Sequence, residues 1–207
     1  MKNSFLRKGL TAAGLAFVVL AHGASAQAEE RIIKREGTYT TSKGGSGTAS
    51  STTTRANGVV KRQGTWTNAA GGTGTRQSQT VWNRTNGTAT VNGSVTRPNG
   101  ATATWQGTQE RTAPGVFKGS GTITQANGTK DTYTSTDTRV APGTWDKNEV
   151  ITTASGKTID RSVDTSVAGG KGTATVTTTA PDGKTFTQKA TFTQSVSSVP
   201  APSNPTN

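Results

Sequence analysis

The carboxylates are the first residues here with types suited to chemistry. Asp160 and Asp164 share one side of an alternating segment but lie four residues apart. On a strand that is about 13 Å, too far to hold one small ion or to act as a hydrolytic pair. Asp146, Asp160 and Asp164 offer isolated weak Ca²⁺ contacts at most, because no loop has the dense Asp/Asn/Gly spacing of a calcium motif. The only His (His22), the only Met and all four Leu fall within the first 26 residues, and Cys is absent. Triads built on His or Cys, thiol redox centres and ordinary zinc sites are thereby excluded. There is no Gly-rich phosphate loop, no serine elbow and no lysine dyad. The sequence therefore reads as a non-enzyme, with no catalytic, cofactor-binding or metal-ligating residue to assign.

The cations carry more information. Beyond residue 26 there are 20 basic and 11 acidic residues, a net charge of +9. No acid occurs from Gly37 to Gln109, a stretch holding Lys43, Arg55, Lys61, Arg62, Arg76, Arg84 and Arg97. An acid-free region of this length favours acidic polymers: acidic polysaccharide, lipopolysaccharide or extracellular nucleic acid. These seven residues are the candidate polyanion site, although only Lys61 and Arg62 are adjacent, and dispersed charge also serves solubility. Nothing points to a small-molecule substrate. The aromatics Trp66, Trp82, Trp105, Trp145, Tyr39 and Tyr133 would stack on sugars if they lay on an open sheet. A chain this poor in large apolar groups is expected to bury them instead.

These residues must be positioned by strands. Beyond residue 26 the chain has 42 Thr and 23 Gly, and Leu, Ile, Val and Phe make 21 of 181 residues. That composition disfavours helix and puts disorder in contention. Lys2, Arg7 and Lys8, the apolar run Leu10 to Ala21 and the small residues Ala24-Ser25-Ala26 form a bacterial-style secretory signal over residues 1–26. A periplasmic or secreted, cell-surface product is expected. The run is short for a bilayer span.

Self-similarity organises residues 27–194 into one repeat domain. Residues 73–100, 101–128, 129–156 and 157–183 align almost without gaps, 46–72 is a looser copy, and half copies flank them. Turn glycines recur every 13 to 15 residues, at Asn-Gly, Asp-Gly and Pro-Gly steps suited to hairpins. About twelve strands follow, in hairpin repeats of about 28 residues. Residues 195–207, rich in Ser, Pro and Asn, are expected to be a disordered tail.

The alternation also predicts pairing. With turns centred on Gly100, Pro114, Gly128, Pro142 and Gly156, every odd residue from Ala89 to Val167 lies on one face. That face gathers Val91, Val95, Trp105, Phe117, Ile123 and Tyr133 while Thr fills the other, and parity flips at Gly169-Gly170. Trp105 then meets Ile123, Tyr133 meets Ile151, Glu110 meets Lys118, and no like charges face each other within 101–167. The fold class read from this is an all-β antiparallel meander, curled into a barrel or folded as a sandwich. A two-sided β-solenoid of 28 residues per coil is the alternative; it would stack Trp105 on Tyr133 and Arg111 on Arg139.

Functionally, the leading expectation is an exported non-enzymatic interaction or matrix element with affinity for acidic polymers. Long uncovered edges would favour self-association. The alternative is an outer-membrane barrel acting as a pore or assembly component. Its lipid face would have to accept Gln109, Arg111, Asp137, Lys147, Glu149 and Arg161. A minor alternative rests on the Thr-x-Thr rhythm, which resembles the ice-binding face of insect antifreeze solenoids over that dipeptide pattern alone.

Overall fold

Alternation of Thr with apolar or small residues, interrupted by glycine turns, produces strands and nothing else. The computed structural model describes residues 30–199, so the signal segment and the end of the tail lie outside the described residues. Twelve strands follow in order: β1 (Glu30–Thr41), β2 (Ser46–Ala56), β3 (Val59–Asn68), β4 (Thr73–Asn83), β5 (Thr88–Thr96), β6 (Thr102–Ala113), β7 (Val116–Thr124), β8 (Lys130–Ala141), β9 (Thr144–Thr152), β10 (Thr158–Ala168), β11 (Lys171–Thr179) and β12 (Thr185–Val199). Each pairs antiparallel with its neighbour in sequence, and β12 returns to β1 to close a barrel. The meander is therefore correct, and the solenoid is overturned. Hairpin neighbours pair side by side, so Trp105 faces Ile123 and Tyr133 faces Ile151. Ser195 to Val199 are not tail but the end of β12, paired with Glu30 to Lys34 of β1.

Pairing round the barrel returns to β1 displaced by about 14 residues, which sets the strands at a tilt of roughly 40°. The six turns at one end, the A end, repeat one design. In the loop after β5, Arg97 N–H donates to Ala101 O (2.9 Å) and Gly100 N–H to Arg97 O (2.8 Å), with Gly100 at φ +80°. The positive-φ glycine occupies the bulge position, one residue past the centre of the loop. Hence the hairpins expected to centre on Gly100, Gly128 and Gly156 centre one residue earlier, pairing Thr96 with Thr102 and Thr158 with Thr152. Parity survives that shift, but the pairing does not. Asp146 now stands directly opposite Asp164, a like-charged pair the expected register lacks.

Closure decides which face is inside. The odd residues of β5 to β10 and the even residues of β11 and β12 point into the lumen, and Thr, Ser, Lys and Asp cover the outer wall. Gln109, Asp137, Lys147, Glu149 and Arg161 therefore lie on the luminal face, and Arg111 shares their parity at its exposed end, so the expectation that a barrel would turn these six outward is overturned. One half of the lumen is packed: Tyr39, Ala49, Trp66, Val163, Val176 and Phe192 belong to a single buried cluster. In the other half, Val91, Val95, Trp105, Ile123 and Ile151 point inward yet stay half-buried, because they border a cavity.

The packing repeats one pair. Tyr39 stands opposite Gly47, Trp66 opposite Gly74, Trp105 opposite Gly93, Tyr133 opposite Gly121 and Phe192 opposite Gly172. In each pair the ring lies where the glycine lacks a side chain. A Cβ on Gly93 would collide with Cζ2 of Trp105. Rings laid over glycine in this way cover backbone and fix the pairing register. Gly93→Ala is expected to lower stability by about 1–3 kcal/mol, as overpacked cores do. Urea unfolding checks this, and adding Trp105→Leu should recover part of the loss.

Candidate luminal basic site

Strand parity gathers cations that the sequence scatters. Arg35 on β1, Arg55 on β2, Arg62 on β3, Arg76 on β4, Lys147 on β9 and Arg161 on β10 all fall on inward positions. Against them stand Asp137 and Glu149 in the middle of the lumen, with Asp131 near the A end. Arg55, Arg62 and Arg76 are legible from sequence as candidate residues. Of the other four in that set, Lys61 faces outward from β3, Lys43 and Arg97 lie in A-end turns, and Arg84 lies in the β4–β5 turn at the opposite, B end.

The partners are unevenly shared. Glu149 receives Lys147 Nζ at 2.9 Å and Arg161 Nη1 at 3.8 Å. Burial alone would push its carboxyl up, but Lys147, Arg161 and Arg76 together hold it down at about 2. Asp137 accepts Gln109 Nε2 at 2.9 Å, and burial raises its pKa against the pull of Lys147. Tyr133 is pushed up to about 12 by burial and by Glu149 and Asp137. Arg35 donates through Nε to Gln194 Oε1 (2.8 Å) and lies 4.9 Å from the Phe192 ring centre, while Arg76 lies 4.7 Å from that of Trp105. Rings thus take part of the work that carboxylates would otherwise do.

Arg62 is the member least provided for. Its Nε and Nη2 are out of reach of water and have no hydrogen-bond partner, and neither does Oδ1 of Asp137. Burial and the nearby Arg55, Arg76 and Arg35 pull its pKa down to about 9, with Asp137 opposing. At neutral pH it stays charged. Around it lies a cavity of about 280 Å³ that reaches Arg97 and Gln125 at the A end. At the B end, Trp82 meets Phe117 edge-on at 5.5 Å and Phe117 meets Trp145 at 6.4 Å, forming an aromatic plug.

The charge outside is arranged by height. Lys43, Arg97, Lys130, Lys157 and Lys184 ring the A end beside Asp182, and Arg31, Arg84, Arg111, Arg139 and Lys171 ring the B end beside Glu30. Along the outer wall Lys34, Lys61, Lys118 and Lys189 are more than offset by Glu36, Glu110, Asp146, Asp160 and Asp164. The surplus of positive charge is therefore at the mouths and in the lumen. Sequence order could not show this separation, which requires both parity and closure. Among the described residues, no group of three or more His, Cys, Asp or Glu is placed to hold a metal ion.

No protein-family model matches this chain, and no curated protein does. Among solved structures it is similar to a triple mutant of the Rh. blastica porin, at 8% identity and a TM-score of 0.45. The match covers 82% of this chain and 100% of that one. So distant a likeness says nothing about what this barrel does.

The Glu149 contacts give a signed expectation. Its folded pKa of about 2 lies below the usual 4.5, so its contribution is complete above pH 4.5 and is lost as pH falls towards 2. Glu149→Gln should cost about 1–3 kcal/mol at pH 7 by leaving two partly buried cations without their carboxylate, and should flatten that acid limb. Urea midpoints measured from pH 7 down to pH 2.5 check both.

Proposed function

We propose that this chain is an exported, non-enzymatic binding barrel whose acidic partners engage its two mouths. The separation of charge carries the reading: basic rims and a basic lumen flank an outer wall in which acids outnumber lysines. Such an arrangement draws a polyanion to the ends of the barrel, because cations outnumber carboxylates there, Asp182 at the A end being paired with Lys184. The hydroxyl-covered wall supports a life in water, since Thr and Ser hydrogen-bond solvent from a strand surface. A partner of the acidic polysaccharide or lipopolysaccharide type would reach Lys43, Arg84 and Arg97. Arg55, Arg62 and Arg76 sit too deep for a polymer and would act through the field alone.

A second reading, the outer-membrane barrel, is favoured by a separate observation. The wall is a closed antiparallel meander with an even strand number, as bacterial membrane barrels have, and its charged odd face lines the lumen. It requires lipid to accept Thr, Lys34, Lys118, Asp160 and Asp164, where such barrels carry an apolar band about 25 Å tall. Exposed large apolar groups are few among the described residues: Val81 and Val150, which line one depression of the outer wall, with Val140, Val196 and Val199.

Two measurements test these readings. Binding to dextran sulfate should weaken steeply with salt. A rim variant (Lys43, Arg97 and Lys157 to Gln) should make the log–log salt slope shallower by roughly one for each sulfate that no longer meets a cation. A wall variant of equal charge change (Lys34, Lys61 and Lys189 to Gln) should keep the slope, and equal effects from both would remove the mouth reading. The purified chain should also stay monodisperse without detergent; precipitation that detergent reverses, together with cofractionation with outer membranes, would favour the second reading.

A further inference from the structure

The hollow half of the lumen combines three features that a filled core does not. Its walls present large apolar groups, Val91, Val95, Trp105, Ile123 and Ile151, that remain half-buried only because they face an internal space. That space, about 280 Å³, suits a molecule of one or two rings better than a few scattered waters. Arg62 lines it, and two nitrogens of its guanidinium, closed to water in the empty lumen, have no hydrogen-bond partner; a carboxylate meets them once the side chain turns towards the space. A buried donor left without a partner costs about 1–3 kcal/mol, more when it is charged, and a guanidinium carries its donors in a planar fork matched to a carboxylate.

We propose that this cavity is a binding pocket for a small monoanionic acid with a compact aromatic body, its carboxylate held by Arg62 and its ring packed against Trp105 and Ile123. The sign follows from the count: the lumen holds six cationic side chains against Asp131, Asp137 and Glu149, so a cation would meet repulsion. The single charge follows from Glu149 and Asp137, which also line the cavity and would repel a phosphate or a dicarboxylate. Both Glu149 oxygens are already engaged by Lys147 and Arg161, so Glu149 does not compete for Arg62. Asp137, which also lines the cavity, keeps one oxygen without a partner, closed to water in the empty lumen. Access is from the A end, where Arg97 borders both the rim and the cavity. This pocket is independent of the polymer reading, because a polymer cannot enter it.

Titration calorimetry of the purified chain with naphthalene-2-carboxylate, and with the neutral naphthalene-2-carboxamide as its matched control, tests the pocket. The acid should bind at least about tenfold tighter than the amide, as a desolvated charge pair allows. Arg62→Met should abolish that preference, while Lys61→Met, its outward-facing neighbour, should leave it intact. If the Met variant does not fold by circular dichroism, Arg62→Lys keeps the charge and loses the fork. It should weaken the acid by roughly threefold or more and leave the amide unchanged. Equal binding of acid and amide, an Arg62 variant that binds like the parent, or no binding of either at millimolar concentration (a lumen that holds only water) would each overturn the proposal.

Discussion

A ring of twelve tilted strands encloses more space than this chain can fill with hydrocarbon. Strand number sets barrel width, and eight strands already leave an interior that side chains only just fill. Here the inward positions of twelve strands must be covered by a sequence without Leu beyond its first 26 residues. Two devices answer the shortage. Rings lie over facing glycines on both sides of the barrel, Tyr39, Trp66 and Phe192 in the packed half and Trp105 and Tyr133 in the other, spreading few aromatic atoms over much backbone. In the β5–β9 half the space is left open and long cationic side chains reach into it. Both devices follow from the same deficit.

The second device has an electrostatic result. Arginines can enter a lumen because their stems are apolar and their heads pack on rings, as Arg35 does on Phe192 and Arg76 on Trp105. Carboxylates do not share that ability, so they are outnumbered inside and concentrated on the wall, where water solvates them. Two inward carboxylates have both oxygens engaged, Glu149 by Lys147 and Arg161 and Asp131 by Gln125 and the Ala154 N–H, and these are structural. Arg62 is the remainder left over once those pairs are made.

Much of this is legible in the sequence because a strand has a period of two. The Pro114 and Pro142 turns give correct pairings, including Glu110 with Lys118 and Asp137 with Lys147, and the parity flip at Gly169-Gly170 places Val176, Phe186 and Phe192 correctly. The A-end hairpins sit one residue away from their expected centres because a glycine signals positive φ without saying which loop position needs it. Asp146 facing Asp164 is the visible cost of that ambiguity. The luminal cluster is half visible: Arg55, Arg62 and Arg76 stand out by the lack of nearby acids. Their meeting with Arg35, Lys147 and Arg161 depends on β12 joining β1, a junction between opposite ends of the chain that no local pattern encodes.

That final seam also governs how the molecule meets its own copies. Once β1 and β12 zip together, the described wall has no open strand margin onto which another chain could graft. Encounters between finished barrels must then go through hydroxyls and charges. A polypeptide halted before its last fifteen residues of sheet would present two bare margins at once. Closure of the wall therefore waits on β12, the last strand in chain order, rather than on any single side chain.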